Sequence, residues 1–382
     1  MRPAGDGAIR PYDAMNEHPN NSTLLVAGLG NIGSHFVSEM AKVPIPVTRV
    51  VFIDPDLYEE SNLAGQAIDR GDLGKPKVEA QAGKLGRARP DLRIDTHVTA
   101  LEAVPFGVYR GADVIVSGLD SRRARAALND RVYRTGLARW IDGGVSPDAG
   151  LARVTMLQGG HNAPCLECDW TDTDYAALEQ RYLCGGKNEA SPTAASAELG
   201  RLAAAGMLAA LRSILSDRGA VVHRETLLRL DGGSALETRL PRHAACRFHH
   251  LMDPLPDFAH RVELDLPIET LFERFAPGAS VGIAVHGAGR WIHEVACTGC
   301  GRPAERCLCL ENRLGDGKCS HCGSANLMPV GFKSQPLLWR NDPGGKHLVD
   351  SLRTAGVRPG DEITFYHDRS RPQALFRLAL ES

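Results

Sequence analysis

The ten cysteines of this 382-residue chain carry its clearest chemical pattern, because most of them occur in close pairs. Two pairs, Cys297-x-x-Cys300 and Cys319-x-x-Cys322, are separated by 18 residues, a spacing typical of a zinc ribbon. Each pair is followed by a glycine, as the tight turn of a zinc knuckle requires. The spacing therefore predicts a closed, structural zinc site.

The other cysteines are less diagnostic by spacing. Cys307 and Cys309 lie between the two ribbon pairs, and they are interpreted as incidental, as alternative ligands, or as a redox or acyl-carrying pair; we favour the first. A third pair, Cys165-x-x-Cys168, stands alone in sequence. Paired thiols in a reducing compartment are metal ligands more often than disulfides, so this pair also predicts a metal site.

A glycine-rich loop, Gly28-Leu-Gly30-Asn-Ile-Gly33, lies between a predicted buried strand and a predicted helix. Glycines in this context let the backbone approach a phosphate, and the helix N-terminus favours its negative charge. Asp54 ends the next predicted strand, about 20 residues further on, where a carboxylate can bond a ribose hydroxyl. These residues alone are compatible with NAD(P) or FAD, with ATP, or with a structural glycine turn.

The elements around the loop alternate between strands and helices up to about residue 150, which predicts a parallel, doubly wound, Rossmann-like sheet. We expect a mobile lead-in over residues 1–22, an α/β domain over 23–252, and a C-terminal α+β domain over 260–382 that contains the ribbon cysteines. Beyond that ribbon the pattern predicts a helix over LVDSLRTAG and then two strands, and a β-grasp is one candidate topology.

Composition excludes some function classes. Lys and Arg total 44 against 46 Asp and Glu, and aromatic residues make up 5% of the chain. No basic excess or stacking platform is present to hold nucleic acid. The N-terminus has no apolar signal-like core, and the most apolar stretch, Leu199–Leu211, contains Arg201 and predicts a buried helix. We therefore expect a cytoplasmic protein that binds neither nucleic acid nor membrane.

Further motifs follow the glycine loop in order. They are Ser61-Asn62-Leu63 with Gln66, then Gly74-Lys75-Pro76-Lys77, and then Gly118-Leu119-Asp120-Ser121. Over about residues 22–250 this series resembles the ThiF/MoeB/ubiquitin-activating enzyme superfamily. A hydride-transfer enzyme has no need for the later motifs, so the resemblance favours ATP over a nicotinamide.

The resemblance implies a Mg-ATP site at the matching positions. Three glycines would form the nucleotide loop, Asp54 would bond the ribose, Asn62 and Lys77 would hold the phosphates, and Asp120 would ligate Mg²⁺; the glycines are Gly28, Gly30 and Gly33. Fixed cations and a metal lower the barrier to adenylation, because charge builds on the α-phosphate. The alternatives are a solvated lysine at a helix start for Lys77 and an N-cap for a helix beginning at Ser121 for Asp120.

One position departs from the family pattern N-L-x-R-Q, because Gly65 stands where the family usually has arginine. A phosphate-facing guanidinium is therefore missing. Our hypothesis is that Arg70, or an N-terminal arginine such as Arg10 from a second subunit, supplies the charge.

Cys184 lies in a glycine- and proline-containing segment just before the Ala-rich helix. A lone cysteine is usually a small buried hydrophobe. The resemblance, however, places an acceptor cysteine in this crossover loop, and a thiolate is a competent nucleophile toward an acyl-adenylate. Lys187, three residues on, would favour the ionised form.

The resemblance also implies a zinc knuckle at the end of the α/β domain. Cys165, Cys168 and Cys246 with His249 would supply three thiolates and an imidazole. The family usually has four cysteines, so His249 is a departure, and His250 and His243 are rival ligands.

These features together predict an enzyme that uses ATP, Mg²⁺ and structural Zn²⁺. It would adenylate the C-terminal glycine of a ubiquitin-like protein, form a thioester on Cys184 and pass the acyl group to a conjugating enzyme. The added C-terminal domain favours bacterial conjugation or antiphage systems, and the family implies a homodimer. Alternatives are a sulfur-carrier adenylyltransferase, a nicotinamide-dependent oxidoreductase, and a zinc-stabilised scaffold.

Overall fold

The structure is a computed structural model of the chain. It describes residues 22–135, 139–160, 163–179, 197–216, 223–231, 233–244, 246–248, 258–303, 309–316, 318–319, 321–324, 327–330, 334–341, 350–367 and 373–381. Cys184, His249, Arg10, Cys307 and residues 1–21 of the predicted lead-in lie outside these ranges, whereas Ser22 is already part of a strand.

Contacts divide the described chain into two compact units. We call residues 22–101 and 109–248 the N-terminal unit, and residues 102–108 and 258–381 the C-terminal unit. The short segment 102–108 joins the C-terminal unit although the sequence analysis placed it inside the α/β domain. The predicted domain boundaries otherwise stay predictions.

An eight-stranded sheet forms the centre of the N-terminal unit, in the order β3-β2-β1-β4-β5-β6-β7-β8. The first five strands in this order pair in parallel, and β5 to β8 pair antiparallel. The strands are β1 (Ser22–Ala27), β2 (Val47–Ile53), β3 (Arg93–His97), β4 (Val114–Ser117), β5 (Arg139–Ser146), β6 (Leu151–Gln158), β7 (Arg224–Arg229) and β8 (Ala235–Arg239). The predicted Rossmann-like α/β fold is confirmed.

Helices follow several of these strands in the described part of the chain, and the first residues of the third, 106–108, belong to the C-terminal unit. The helices are α1 (Asn31–Met40), α2 (Lys77–Ala88), α3 (Phe106–Arg110), α4 (Arg122–Thr135), α5 (Asp172–Glu179) and α6 (Ala197–Ser216). One large core joins α1, α6 and the sheet, with Phe36, Met207 and Leu211 fully buried.

Helix α6 is long and apolar enough to span a membrane by length and composition. Its apolar face, however, is packed in the core: Leu199, Ala203 and Met207 are at most 2% exposed. The predicted buried helix is therefore present, beginning at Ala197.

The C-terminal unit contains a five-stranded sheet in the order β16-β10-β17-β18-β9, with two smaller sheets that carry the cysteine ribbon. Its elements are β9 (Phe258–Glu263), α7 (Ile268–Phe275), β10 (Val281–Val285), β11 (Trp291–Ile292), β12 (Val295–Cys297), β13 (Cys309–Leu310), β14 (Leu327–Pro329), β15 (Ser334–Gln335), β16 (Leu338–Trp339), β17 (Glu362–His367) and β18 (Gln373–Glu381). The helix predicted over LVDSLRTAG is wrong for residues 350–356, which form turns that begin with a bridge between Ser351 and Pro267.

Candidate nucleotide site and metal centres

The three glycines of the loop have different physical roles. Gly28 has φ +81°, and a Cβ there would lie 2.8 Å from the carbonyl oxygen of Gly118. A Cβ on Gly33 would lie 1.9 Å from the carbonyl oxygen of Gly28, so α1 packs directly on the loop backbone. A Cβ on Gly30 would meet nothing within 4 Å. Gly30 therefore marks the open side of the loop, where a phosphate can approach.

Asp54 follows β2 and braces this loop. Its carboxylate accepts hydrogen bonds from the Leu29 amide at 2.6 Å and from the Asp56 amide at 2.9 Å, and the residue is 5% exposed. Burial raises the pKa of Asp54, while Lys77 and the two amides act in the opposite direction. Its predicted bond to a ribose stays a prediction, because both oxygens already hold backbone amides.

Asp56, the second acid of the D-P-D sequence, was not among the residues predicted from the sequence. Its side chain is 61% exposed, and its Oδ2 lies 2.9 Å from Lys77 Nζ. An exposed carboxylate next to the glycine loop is better placed than Asp54 to accept a hydrogen bond from a ligand hydroxyl. Strand alternation could not have revealed it, because residues two positions apart share one face of a strand and β2 already ends at Ile53. The only signal in the sequence is the second acid of D-P-D itself.

Lys77 begins α2 and is largely enclosed. Its side chain is 10% exposed, and its Nζ lies 5.9 Å from the centre of the Tyr58 ring. The alternative of a solvated surface lysine is therefore wrong. A buried ammonium held by one exposed carboxylate is a cation that a phosphate can recruit.

Asn62 and Arg70 lie on the segment between β2 and α2. The Asn62 Oδ1 accepts the Glu59 amide at 2.9 Å, so this side chain caps a short 3₁₀ turn. The Arg70 side chain is 81% exposed and pairs with Glu60 at 3.3 Å. The Gly65 carbonyl oxygen lies 3.2 Å from His35 Nε2. No structural observation tests the hypothesis that Arg70 or Arg10 replaces the missing arginine.

Asp120 follows β4 at the same carboxyl edge of the sheet as the glycine loop, because β1 and β4 are parallel neighbours. It is exposed. Ser121 rather than Asp120 caps α4: its Oγ accepts the Ala124 amide at 3.2 Å. The N-cap alternative for Asp120 is thus wrong, and magnesium binding stays a prediction.

A buried charge network lies at the ends of β4 and β5, and the sequence analysis missed it. Asp142 is fully buried and accepts hydrogen bonds from Ser117 Oγ and from Arg125 Nε, the latter at 3.0 Å. Arg153 lies 3.6 Å from Asp142 and 3.7 Å from Glu225. Burial raises the pKa of Glu225. The network ties the start of α4, which follows Asp120, to the sheet.

The ribbon cysteines form a compact set. The Sγ atoms of Cys297 and Cys322 are 3.6 Å apart, those of Cys300 and Cys319 are 3.7 Å apart, and all four lie within 4.8 Å of one another. Tetrahedral zinc with Zn–S bonds of about 2.3 Å requires sulfur separations of about 3.8 Å. The donor set therefore fits a closed structural zinc site.

The glycine after each ribbon pair adopts the conformation that the sequence predicted. Gly301 has φ +71° and Gly323 has φ +70°, and each amide donates to the carbonyl oxygen of the first cysteine of its pair at 2.8 Å. A residue with a Cβ is strained at such φ values. Cys309 lies in β13.

Three cysteines of the predicted zinc knuckle also meet. The Sγ of Cys165 lies 3.9 Å from that of Cys168 and 3.8 Å from that of Cys246. A hydrogen bond with Cys168 and burial both raise the pKa of Cys165, so a cation is needed to hold these thiols ionised. The rival ligand His243 is not in this cluster, whereas His249 and His250 lie outside the described residues.

The chain is similar in sequence to several named enzymes. Sequence relatives include "Adenylyltransferase and sulfurtransferase UBA4" of Yarrowia lipolytica, 29% identical over 146 residues, which are 38% of this chain and 35% of that protein. Another is the "NEDD8-activating enzyme E1 catalytic subunit" of Saccharomyces cerevisiae, 29% identical over 154 residues, covering 38% and 50%. The chain thus spans a third to a half of the length of these curated relatives.

Solved structures with a similar fold include E. coli MccB with ATP, at 19% identity and a TM-score of 0.43 over 60% of this chain and 66% of that one. The model of the ThiF family matches residues 12–247, more than half of the chain. The predicted family is confirmed: this chain belongs to the ThiF family.

Proposed function

We propose that this protein is an adenylyltransferase that activates the C-terminal carboxylate of a small protein or peptide with Mg-ATP. The observation that carries the proposal is the ion pair of Lys77 and Asp56, which Asp54 links to the amide of Leu29 in the glycine loop. A hydride-transfer site has no use for a buried lysine at this position, whereas a triphosphate needs a cation there.

In the proposed reaction, an oxygen of the substrate carboxylate attacks the α-phosphorus of ATP. A new bond forms between that oxygen and phosphorus, the bond to the bridging oxygen of the β-phosphate breaks, and pyrophosphate leaves with the electron pair. Lys77 stabilises the charge that develops on the phosphates, and the backbone amide of Gly30, on the open side of the loop, donates to a phosphate oxygen. Asp56 or Asp54 bonds the ribose, and Asp120 holds Mg²⁺, which when bound neutralises phosphate charge.

We further propose that the acyl group passes to Cys184. Its thiolate attacks the acyl carbon, the carbon–oxygen bond to phosphate breaks, and AMP leaves. Support comes from the position of Cys184 before α6 and from the names of the relatives, several of which are activating enzymes. The favoured substrate is a ubiquitin-like protein ending in glycine, with a conjugating enzyme as the next acceptor. The second candidate, sulfur-carrier activation, is supported by the relative named as a sulfurtransferase.

The test is ATP–pyrophosphate exchange with candidate carriers that end in glycine. We expect Lys77→Met to lower exchange by about 100-fold or more, the usual effect of removing a transition-state donor. Lys75→Met is the matched control, because Lys75 is exposed and lies two residues away; it should retain exchange. No exchange with any carrier, combined with tight NADH binding, would favour an oxidoreductase and overturn the proposal.

The thioester step has a separate readout. Cys184→Ala should retain exchange but lose a thiol-sensitive adduct with the carrier on a non-reducing gel. Deletion of residues 260–382 should spare exchange and weaken transfer, if the C-terminal domain recruits the carrier or acceptor. An adduct that persists in Cys184→Ala would place the acceptor elsewhere.

A further inference from the structure

The peptide of Leu29, in the middle of the glycine loop, is held on both sides. Its amide donates to Asp54 Oδ2 at 2.6 Å, and its carbonyl oxygen accepts from the Tyr58 hydroxyl at 2.9 Å. Leu29 and Tyr58 are at most 1% exposed. Two buried hydrogen bonds on one peptide therefore set the orientation of the loop that would face the phosphates.

The Tyr58 hydroxyl, which donates to Leu29, also accepts a hydrogen bond from a residue of α2. Gln81 Nε2 donates to the Tyr58 hydroxyl oxygen at 2.8 Å, and Gln81 is also 1% exposed. An amide nitrogen can only donate, so the Tyr58 hydrogen is left for the Leu29 carbonyl. Burial raises the pKa of Tyr58, which keeps that hydrogen in place.

Gln81 lies four residues after Lys77 on α2, so the two side chains occupy the same face of the helix. Lys77 Nζ binds Asp56, the Asp56 amide binds Asp54, and Asp54 binds Leu29. The contacts close a ring that runs from Leu29 through the acids to Lys77, along one turn of α2 to Gln81, and back through Tyr58. Neither Tyr58 nor Gln81 belongs to the motifs that the sequence analysis used.

We propose that Tyr58 and Gln81 are positioning residues, which hold the glycine loop and Lys77 at a fixed separation for a nucleotide triphosphate. The inference rests on the proposed ATP site. Both residues act through the Leu29 peptide and α2 rather than by touching the nucleotide. A preorganised loop binds phosphate without an ordering cost, so losing the ring should weaken nucleotide binding in the ground state and transition state alike.

The experiment compares Tyr58→Phe with Tyr109→Phe. Tyr109 is an equally buried tyrosine whose hydroxyl donates to the Leu101 carbonyl at 2.8 Å, away from the loop. Both variants should lose a similar amount of thermal stability. We expect Tyr58→Phe to raise the ATP dissociation constant and KM about fivefold with kcat unchanged, as the loss of one buried hydrogen bond implies. Tyr109→Phe should leave these values at the wild-type level.

Gln81→Met is the second arm, because it removes the donor but keeps the length of the side chain. In the double variant with Tyr58→Phe, the KM should rise no further than in Tyr58→Phe alone, since both changes break one ring. An unchanged ATP dissociation constant in Tyr58→Phe would overturn the positioning role while leaving the proposed function intact. Failure of the wild-type protein to bind ATP would overturn both.

Discussion

Gly33→Ala and Gly30→Ala should affect different properties of the protein, the first mainly its stability and the second mainly its affinity for ATP. In Gly33→Ala the new Cβ would sit 1.9 Å from the Gly28 carbonyl oxygen, whereas ordinary van der Waals contact begins at 3.4 Å. The helix and the loop must therefore separate by about 1.5 Å, and the obstructing atom is backbone, which cannot rotate away. Overpacking of this kind costs about 3 kcal/mol.

A competing effect favours alanine at position 33, because it lies inside α1. Alanine in a helix is about 1 kcal/mol better than glycine. The steric cost is larger, so the net effect should be a loss of about 2 kcal/mol of the free energy of unfolding. For a unit of this size that corresponds to a fall in Tm of roughly 4–8 °C.

Gly30→Ala should change stability less than Gly33→Ala does, and it should weaken ATP binding. The added methyl group meets no protein atom within 4 Å, although ψ −144° at φ −73° lies outside the main regions that residues with a Cβ occupy. Stability should fall by about 1 kcal/mol from this backbone strain and from the loss of glycine at an N-cap, which is less than the loss expected in Gly33→Ala. The methyl group would, however, occupy the space of a phosphate oxygen, and losing a hydrogen bond to a charged group weakens binding by about 10- to 100-fold.

The assays are differential scanning fluorimetry and equilibrium binding of ATP on both variants, with the wild-type protein as reference. The structure requires that Gly33→Ala lose mainly stability and Gly30→Ala mainly affinity. A wild-type Tm for Gly33→Ala would refute the packing argument. Wild-type ATP affinity in Gly30→Ala would show that the phosphates do not approach the open face of the loop.

Three further outcomes are expected. Metal analysis should find about two zinc ions per chain, and Cys297→Ser and Cys165→Ser should each lose one of them; loss of both from a single substitution would contradict two independent sites. Asp142→Asn should destabilise the N-terminal unit by about 3–5 kcal/mol in urea denaturation, because it leaves the Arg125 charge buried without its carboxylate, and a change below 1 kcal/mol would count against the network. Burial raises the pKa of Asp361, beside Arg313, from 3.8 to about 6; the folded form therefore binds the proton more tightly than the unfolded form, and this group's contribution to stability should be full below about pH 4 and fall as the pH rises to about 6. The difference in unfolding free energy between wild type and Asp361→Asn, followed across that window, should change with pH rather than stay constant.

The parts of the site that the sequence predicted are those whose chemistry is local. The tight turn at Cys297 and Cys300 is such a case, because the spacing of the two cysteines and the glycine after them predicts it without any contact from elsewhere in the chain. The glycine loop is likewise one strand, one turn and one helix. In each case the residues that do the work are neighbours in sequence, and the backbone geometry follows from their types.

Residues that act across the sequence were missed. Tyr58 contacts Leu29 and Gln81, which are 29 and 23 positions away, and Asp142 contacts Arg125 from another element. The helical and strand periods of apolar residues predict elements, but they do not predict contacts between residues on different elements. The predicted helix over LVDSLRTAG failed for a related reason: Ser351 bridges to Pro267, and Gly356 at φ +92° supports a turn, so tertiary contacts override a local apolar pattern.

The ion pair of Lys77 and Asp56 explains how a mostly buried lysine can keep its charge paired both without and with a bound nucleotide. Without a ligand, the carboxylate neutralises an ammonium whose side chain is only 10% exposed, so the lysine can remain at the loop without an unpaired buried charge. A nucleotide brings phosphates for the lysine and hydroxyl groups for the carboxylate, so each partner exchanges one charged contact for another. In the proposed site the exposed acid would thus be a resting partner for Lys77 and an acceptor for the ribose. This exchange would open the ring at the contact between Lys77 and Asp56, but the bonds from Tyr58 and Asp54 to Leu29 and from Gln81 to Tyr58 do not use that contact. They would hold the loop, so only the side chains of Lys77 and Asp56 would need to move when the nucleotide binds.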